Sequence, residues 1–155
     1  TGIPNRRGLM DRLRREWARV GRAGGVLALV LVDIDRFKEI NDRYGHSVGD
    51  RMLQAVARAI ASQCRDMDLP ARYGGEEFAI VFPDATTEDA MRLAERCRQN
   101  VASVSIRSEG QDVQATASFG VTDSRGVTGE ENLIKNSDHA LYNAKKAGRN
   151  AVVAK

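Results

Sequence analysis

Gly74-Gly75-Glu76-Glu77-Phe78 constrains the fold of this chain more than any other stretch. The apolar run Phe78–Phe82 follows it, and Leu69–Tyr73 can form a strand before it. A glycine pair between two such runs reads as a tight hairpin turn, because glycine reaches positive φ without steric cost. Glu76 and Glu77 would then stand at the lip of a sheet. Taken alone, such a tip is only an acidic surface turn. Upstream, however, the buried-strand pattern Val26-Leu27-Ala28-Leu29-Val30-Leu31-Val32 ends in Asp33-Ile34-Asp35. Two strand ends that carry carboxylates, in so short a chain, point to a metal site. Oxygen ligands of this kind suit Mg²⁺ or Mn²⁺ bound together with a substrate phosphate.

At 155 residues the chain is long enough for one domain with a substantial core, and we read residues 1–155 as a single unit. Its composition, 42% hydrophobic and 29% charged, is that of a soluble globular protein. The net charge of +3 comes from scattered arginines without a basic run. It argues weakly for nucleic acid and equally for a pocket that takes a polyanionic small molecule. Cys64 and Cys97 fall in stretches that read as helix and lack metal-ligand spacing, so they look like core or half-buried thiols of a reducing compartment. No segment approaches the ~20 apolar residues of a membrane span. Because the chain opens at Thr1-Gly2-Ile3-Pro4 with no initiator methionine, we expect the C-terminal output domain of a longer protein.

Asn5 can cap a first helix over Arg6–Arg22, whose stripe is Leu9, Leu13 and Trp17. After the Val26 strand, a short helix is expected over Phe37–Tyr44, broken by Gly45. Ser47 can cap a longer one with Val48, Met52, Val56 and Ile60 on one face. The hairpin follows, and then Thr86 or Thr87 caps a helix bearing Ala90, Leu93, Ala94, Cys97 and Val101. Strands around Val104–Ser108 and Val113–Val121 flank a Glu109-Gly110 turn. A last helix runs over Glu131–Ala147 to Gly148, and Ala151–Val153 can add an edge strand. The core order β-α-α-β-β-α-β-β-α implies an α+β fold, one mixed central sheet flanked by helices, of ferredoxin-like or palm type.

Several short motifs fall in order along the chain. They are Thr1–Arg7, Asp33-Ile34-Asp35-Arg36-Phe37-Lys38 with Asn41-Asp42, Tyr44-Gly45-His46, Gly49-Asp50 and Arg72–Phe78. Ser118-Phe119-Gly120-Val121, Asp138–Tyr142, Ala144-Lys145 and Gly148-Arg149-Asn150 complete the series. With these the chain resembles the GGDEF family of diguanylate cyclases along essentially its whole length. The resemblance implies a palm-like architecture related to nucleotide polymerases and adenylate cyclases. It also implies condensation of two GTP into cyclic di-GMP with release of two pyrophosphates, as part of bacterial second-messenger signalling.

Each matched residue then acquires an expected role. Attack of a ribose 3′-hydroxyl on an α-phosphorus needs a deprotonated nucleophile and neutralised triphosphate charge. Asp33 and Glu76 match the family's metal ligands, with the Ile34 carbonyl and, as an additional ligand, Glu77. Two Mg²⁺ or Mn²⁺ ions per site are implied during catalysis. Glu76 is also the candidate base, and Lys38, Lys145 and Arg149 match phosphate-contacting cations. Asn41 and Asp50 match the guanine pocket. A carboxylate there accepts from guanine N1–H and its amine, whereas adenine N1 would face it with a second acceptor. Asp35 alternates onto the same side as Asp33, and both a site role and a structural one stay open. Asp138, Tyr142 and Asn150 read as fold-holding, and His46 as a turn residue. Arg65-x-x-Asp68 and Arg96 match an inhibitory site for the product. The implied partners are GTP, cyclic di-GMP as product and inhibitor, a second copy of the chain and an upstream sensor domain, with no nucleic acid. The domain is expected in the cytoplasm, whether or not the parent protein is membrane-anchored. A receptor without catalysis, or a bare dimerisation module, would leave Asp33, Asn41, Asp50 and Glu76 unexplained together.

Overall fold

The organising element is the strand β1 (Leu27–Ile34), every residue of which is buried. In the computed structural model, which describes residues 1–155, β1 pairs antiparallel with β3 (Glu77–Pro83) on one side and β6 (Ala117–Asp123) on the other. β2 (Leu69–Arg72) and β7 (Val152–Ala154) complete a five-stranded sheet of order β2-β3-β1-β6-β7, in which only β6–β7 is parallel. Alternate residues of β1 serve two different cores. Ala28, Val30, Val32 and Ile34 join the larger cluster, under α2 (Phe37–Tyr44), α3 (His46–Ala61) and α4 (Thr87–Ala102). Leu27, Leu29 and Leu31 join a smaller one with Leu9 and Leu13 of α1 (Arg6–Ala23) and Leu133 and Leu141 of α5 (Glu130–Lys146). The result is a mixed sheet with helices on both faces, the expected α+β class. No helix is long and apolar enough to cross a membrane.

Helix starts follow local chemistry in two cases and glycine in two others. Asn5 accepts from Gly8 N–H to cap α1, and Thr86 forms a reciprocal capping box with Asp89 at α4. By contrast α3 begins one residue before Ser47, after Gly45 at φ 91°, without any side-chain cap. One expected strand is two. Val113–Val121 divides at Ala115-Thr116 into β5 (Gln111–Gln114), which pairs only with β4 (Ser105–Ser108), and β6 in the main sheet. The break is tertiary in origin: Thr116 C=O accepts from Asp35 N–H at 2.8 Å while its hydroxyl donates to Asp35 Oδ2 at 2.6 Å. Cys64 lies just past α3 and Cys97 is buried in α4; burial pushes both thiols up to about 12, so both are inert.

Two close approaches fix the α5 side. Gly120 of β6 has no room for a side chain, since a Cβ there would overlap Leu141 N and Ser137 O and lie 2.8 Å from Leu141 Cα. Ser137 donates to Leu29 C=O at 3.2 Å, which pins the same helix to β1. At the α4 end, buried Asp123 accepts from Thr87 N–H and hydroxyl, both at 2.7 Å, and from the Arg125 guanidinium.

Candidate active site

The ends of β1 and β3 meet at one rim of the sheet, where the register sets Asp33 opposite Glu77. Residues directly opposite each other share a face. Two carboxylates therefore sit side by side, with Asp33 largely buried. Burial pushes the Asp33 carboxyl up, and Glu76 and Asp35 add to this, against the opposing pull of Lys145. Glu77 is raised likewise, by burial first and then by the Asp33 charge. Lys145, in the last turn of α5, holds its Nζ 2.8 Å from Asp33 Oδ2.

The loop between β2 and β3 is built differently from the expected glycine turn. Neither Gly74 nor Gly75 has positive φ. A Cβ on Gly74 would lie 2.6 Å from Glu77 Oε2, so this glycine makes room for a carboxylate. Gly75 has nothing within 4 Å and leaves the tip bare for an approaching ligand. Arg72 clasps the loop from beneath, donating to the carbonyls of Gly74 at 3.0 Å and Gly75 at 2.7 Å. Glu76 C=O accepts from Ile34 N–H at 3.1 Å, tying the loop to the end of β1. The N-terminal segment is held to this hairpin too: Pro4 C=O accepts from Arg72 N–H at 2.8 Å, and Arg6 stacks 4.3 Å over the Tyr73 ring.

A cleft of about 200 Å³ opens where these elements converge. Asp33, Ile34, Lys38, Glu76, Lys145 and Arg149 all line it, together with Asp35, Arg36 and Phe37. Six of the residues singled out in the sequence thus come together; Glu77 does not line the cleft, and its carboxylate folds toward Gly74. No three His, Cys, Asp or Glu side chains converge as a ready-made cage. The carboxylate and carbonyl donors on offer are all oxygens, and Lys145 ion-pairs with Asp33 among them. That set fits a hard divalent cation held by one or two carboxylates and completed by phosphate and water. A larger groove of about 460 Å³ shares Asp35, Arg36 and Arg149 with the cleft but contains neither Asp33 nor Glu76, so size alone does not mark the chemistry.

Asn41 and Asp50 lie further along, on α2 and near the start of α3, with Gly45 as the only residue between the two helices. Asp50 is exposed, whereas Asn41 Oδ1 is buried and has no hydrogen-bond partner. Asp35 proves structural. It is 6% exposed and accepts from the hydroxyls of Thr116 and Ser118 and from Asn150 N–H, so three of the about four acceptor positions of its carboxylate are taken. Asn150 also accepts from Arg98 and does hold the fold, but Asp138 and Tyr142 are both exposed, and the fold-holding role expected of them is withdrawn. Arg72 and Arg36 were not assigned roles from sequence; their places beside the glycine pair and Asp35 were the available signal.

Arg65, Asp68 and Arg96 lie apart from the cleft. Asp68 has its side chain wholly buried and grips Arg65 through both the backbone N–H at 2.7 Å and the guanidinium at 2.7 Å. The Arg65 side chain remains 43% exposed, its orientation also fixed by Pro83 C=O at 3.0 Å. Arg96 is exposed and donates at 3.4 Å to Gln63, two residues before Arg65 in the chain.

Fold and rim together define a nucleotide-cyclase-like domain with a phosphate- and metal-friendly cleft. Residues 1–151 match the diguanylate cyclase GGDEF domain, and the chain belongs to that family. It is 42% identical over 149 residues to the diguanylate cyclase DgcP of Pseudomonas aeruginosa, covering 96% of this chain and 22% of that protein. Among solved structures, the diguanylate cyclase SiaD of Pseudomonas aeruginosa, in complex with its activator SiaC, superposes with TM-score 0.96 at 41% identity, covering 100% of this chain and 60% of that one. The GGDEF domain of DgcB from Caulobacter crescentus, in complex with c-di-GMP, superposes with TM-score 0.95 at 33% identity, covering 99% of this chain and 92% of that one. The chain spans about a fifth to a third of the length of the curated relatives it matches.

Proposed function

We propose that this domain condenses two molecules of GTP into cyclic di-GMP and two pyrophosphates, as the output domain of a longer signalling protein. The observation that carries the reading is the single cleft that holds Asp33, Glu76, Lys38, Lys145 and Arg149 at the rim of the sheet. Lys38, Lys145 and Arg149 offer positive charge to the triphosphate, and Arg149 has no acidic partner to give up first. Lys145 exchanges Asp33 for phosphate as substrate enters. Asp33, Glu76 and the Ile34 carbonyl would hold Mg²⁺ or Mn²⁺, which supplies charge neutralisation on the phosphates and a lowered pKa of the attacking hydroxyl. Glu76 accepts the proton of that 3′-hydroxyl. Asn41 and Asp50 take the guanine, with Asp50 accepting from N1–H and the exocyclic amine.

One cleft takes one GTP, and the product is two-fold symmetric, so two copies face each other for the reaction. Product then returns to the Arg65–Asp68–Arg96 patch and restrains turnover, a reading supported by the exposed guanidinium that Asp68 orients. The direct test is incubation of the domain with GTP and Mg²⁺, with chromatography for cyclic di-GMP. Product from GTP and none from ATP is expected; no product across domain concentrations, with the fold intact, overturns the reading.

A further inference from the structure

Gly49 sits in the first turn of α3, buried, with ordinary helical backbone. No turn and no positive φ requires glycine there, and alanine is the better helix former. The reason for its presence is spatial. A Cβ at Gly49 would overlap Asn41 Oδ1 and lie 2.9 Å from Asn41 Cγ and 3.2 Å from Phe37 Cζ. Asn41 Oδ1 is the same atom that is buried without a partner. An orphaned buried acceptor is costly and needs a reason to persist. The other end of the amide gives one: Asn41 Nδ2 makes no hydrogen bond within the chain, and the residue is only half-buried.

We propose that Gly49 is a positioning residue for base recognition: its missing side chain is the recess that seats the Asn41 amide, oxygen inward and NH₂ outward, beside Asp50. This rests on the reading of Asn41 and Asp50 as the base pocket and adds what sets its selectivity. An outward donor beside a carboxylate acceptor is the complement of guanine, which presents an acceptor (O6 or N3) flanking its N1–H and amine donors. Adenine presents an acceptor at N1 where the carboxylate would sit. Filling the recess swings the amide out and removes the donor without touching the phosphate cleft.

A double-mutant cycle of Asn41→Ala and Gly49→Ala separates the possibilities. Binding is read with 3′-deoxy-GTP, which lacks the attacking hydroxyl, alongside KM and kcat with GTP and a thermal melt of each variant. Gly49→Ala is expected to weaken 3′-deoxy-GTP binding by about ten- to a hundredfold and raise KM to match, with kcat at saturation changed by less than about twofold and Tm equal or higher. In the Asn41→Ala background the same substitution should have no further effect on binding. Undiminished binding by Gly49→Ala, or losses that simply add in the double variant, overturns the proposal. Should Gly49→Ala unfold the domain, the double variant must regain the fold, because the overlapping atoms are gone; failure to regain it also overturns the proposal. Full binding by Asn41→Ala alone instead refutes the base-pocket reading on which the inference stands.

Discussion

Gly120→Ala tests how tightly the sheet and α5 are coupled. The added Cβ would stand 2.8 Å from Leu141 Cα and overlap the backbone at Leu141 N and Ser137 O, against ordinary contacts of 3.4–4 Å. No rotamer relieves a clash with backbone, so α5 must move outward by about 1 Å, an overpacking cost at the upper end of the usual 1–3 kcal/mol. For a domain of this size, ~3 kcal/mol corresponds to a fall in Tm of about 6–12 °C. Lys145 is four residues beyond Leu141, on the same helical face, and moves with it away from Asp33. A displacement of ~1 Å in a charge-positioning group costs on the order of 10²-fold in turnover. Thermal unfolding by circular dichroism and turnover of GTP on the folded variant are the measurements. A Tm within about 2 °C of the parent, where the packing argument requires several degrees, would show that α5 does not bear on Gly120 as described.

Three further outcomes are expected. Burial alone would raise the Asp123 carboxyl, but the Arg125 and Thr87 hydrogen bonds outweigh it and hold the group at about 2, below its ordinary 3.8. A depressed folded-state pKa stabilises the domain above the ordinary value, and that gain is lost as pH falls through about 2; the stability gap between parent and Asp123→Asn should be roughly 2 kcal/mol at neutral pH and close between pH 4 and 2. A gap constant over that range contradicts it. Arg65→Ala should weaken cyclic di-GMP binding about ten- to a hundredfold by calorimetry while leaving turnover intact, since a bidentate guanidinium contact to guanine is lost; unchanged affinity reduces Arg65–Asp68 to a surface pair. Rate per domain should rise with domain concentration when dilute, and a constant specific activity across a wide dilution series contradicts face-to-face catalysis.

Much of this was legible in the sequence because it rests on local pattern. The β1 run, the glycine-flanked acidic rim, the Asn5 and Thr86 caps and the cations near the end of α5 all follow from residue type and spacing. What escaped depends on contacts between distant segments. In sequence the glycines at 74 and 75 look like a positive-φ turn, yet one makes room for the Glu77 carboxylate and neither uses positive φ. The division of β5 from β6 is set by Asp35, some 80 residues away, and alternation of side chains carries no trace of it. The same limit left Asp35 undecided: only its three donors, from Thr116, Ser118 and Asn150, make it structural. Asp138 and Tyr142 matched a motif but face solvent, since motif membership does not specify burial.

The central claim is that the rim of β1 and β3 performs nucleotide condensation through Glu76. Its most direct test is Glu76→Gln, which keeps shape and removes charge, assayed for cyclic di-GMP formation from GTP with Mg²⁺ and checked for fold by circular dichroism. A native spectrum is expected, with turnover reduced by on the order of 10²–10³-fold or more. Turnover equal to that of the parent, on a folded protein, would contradict it.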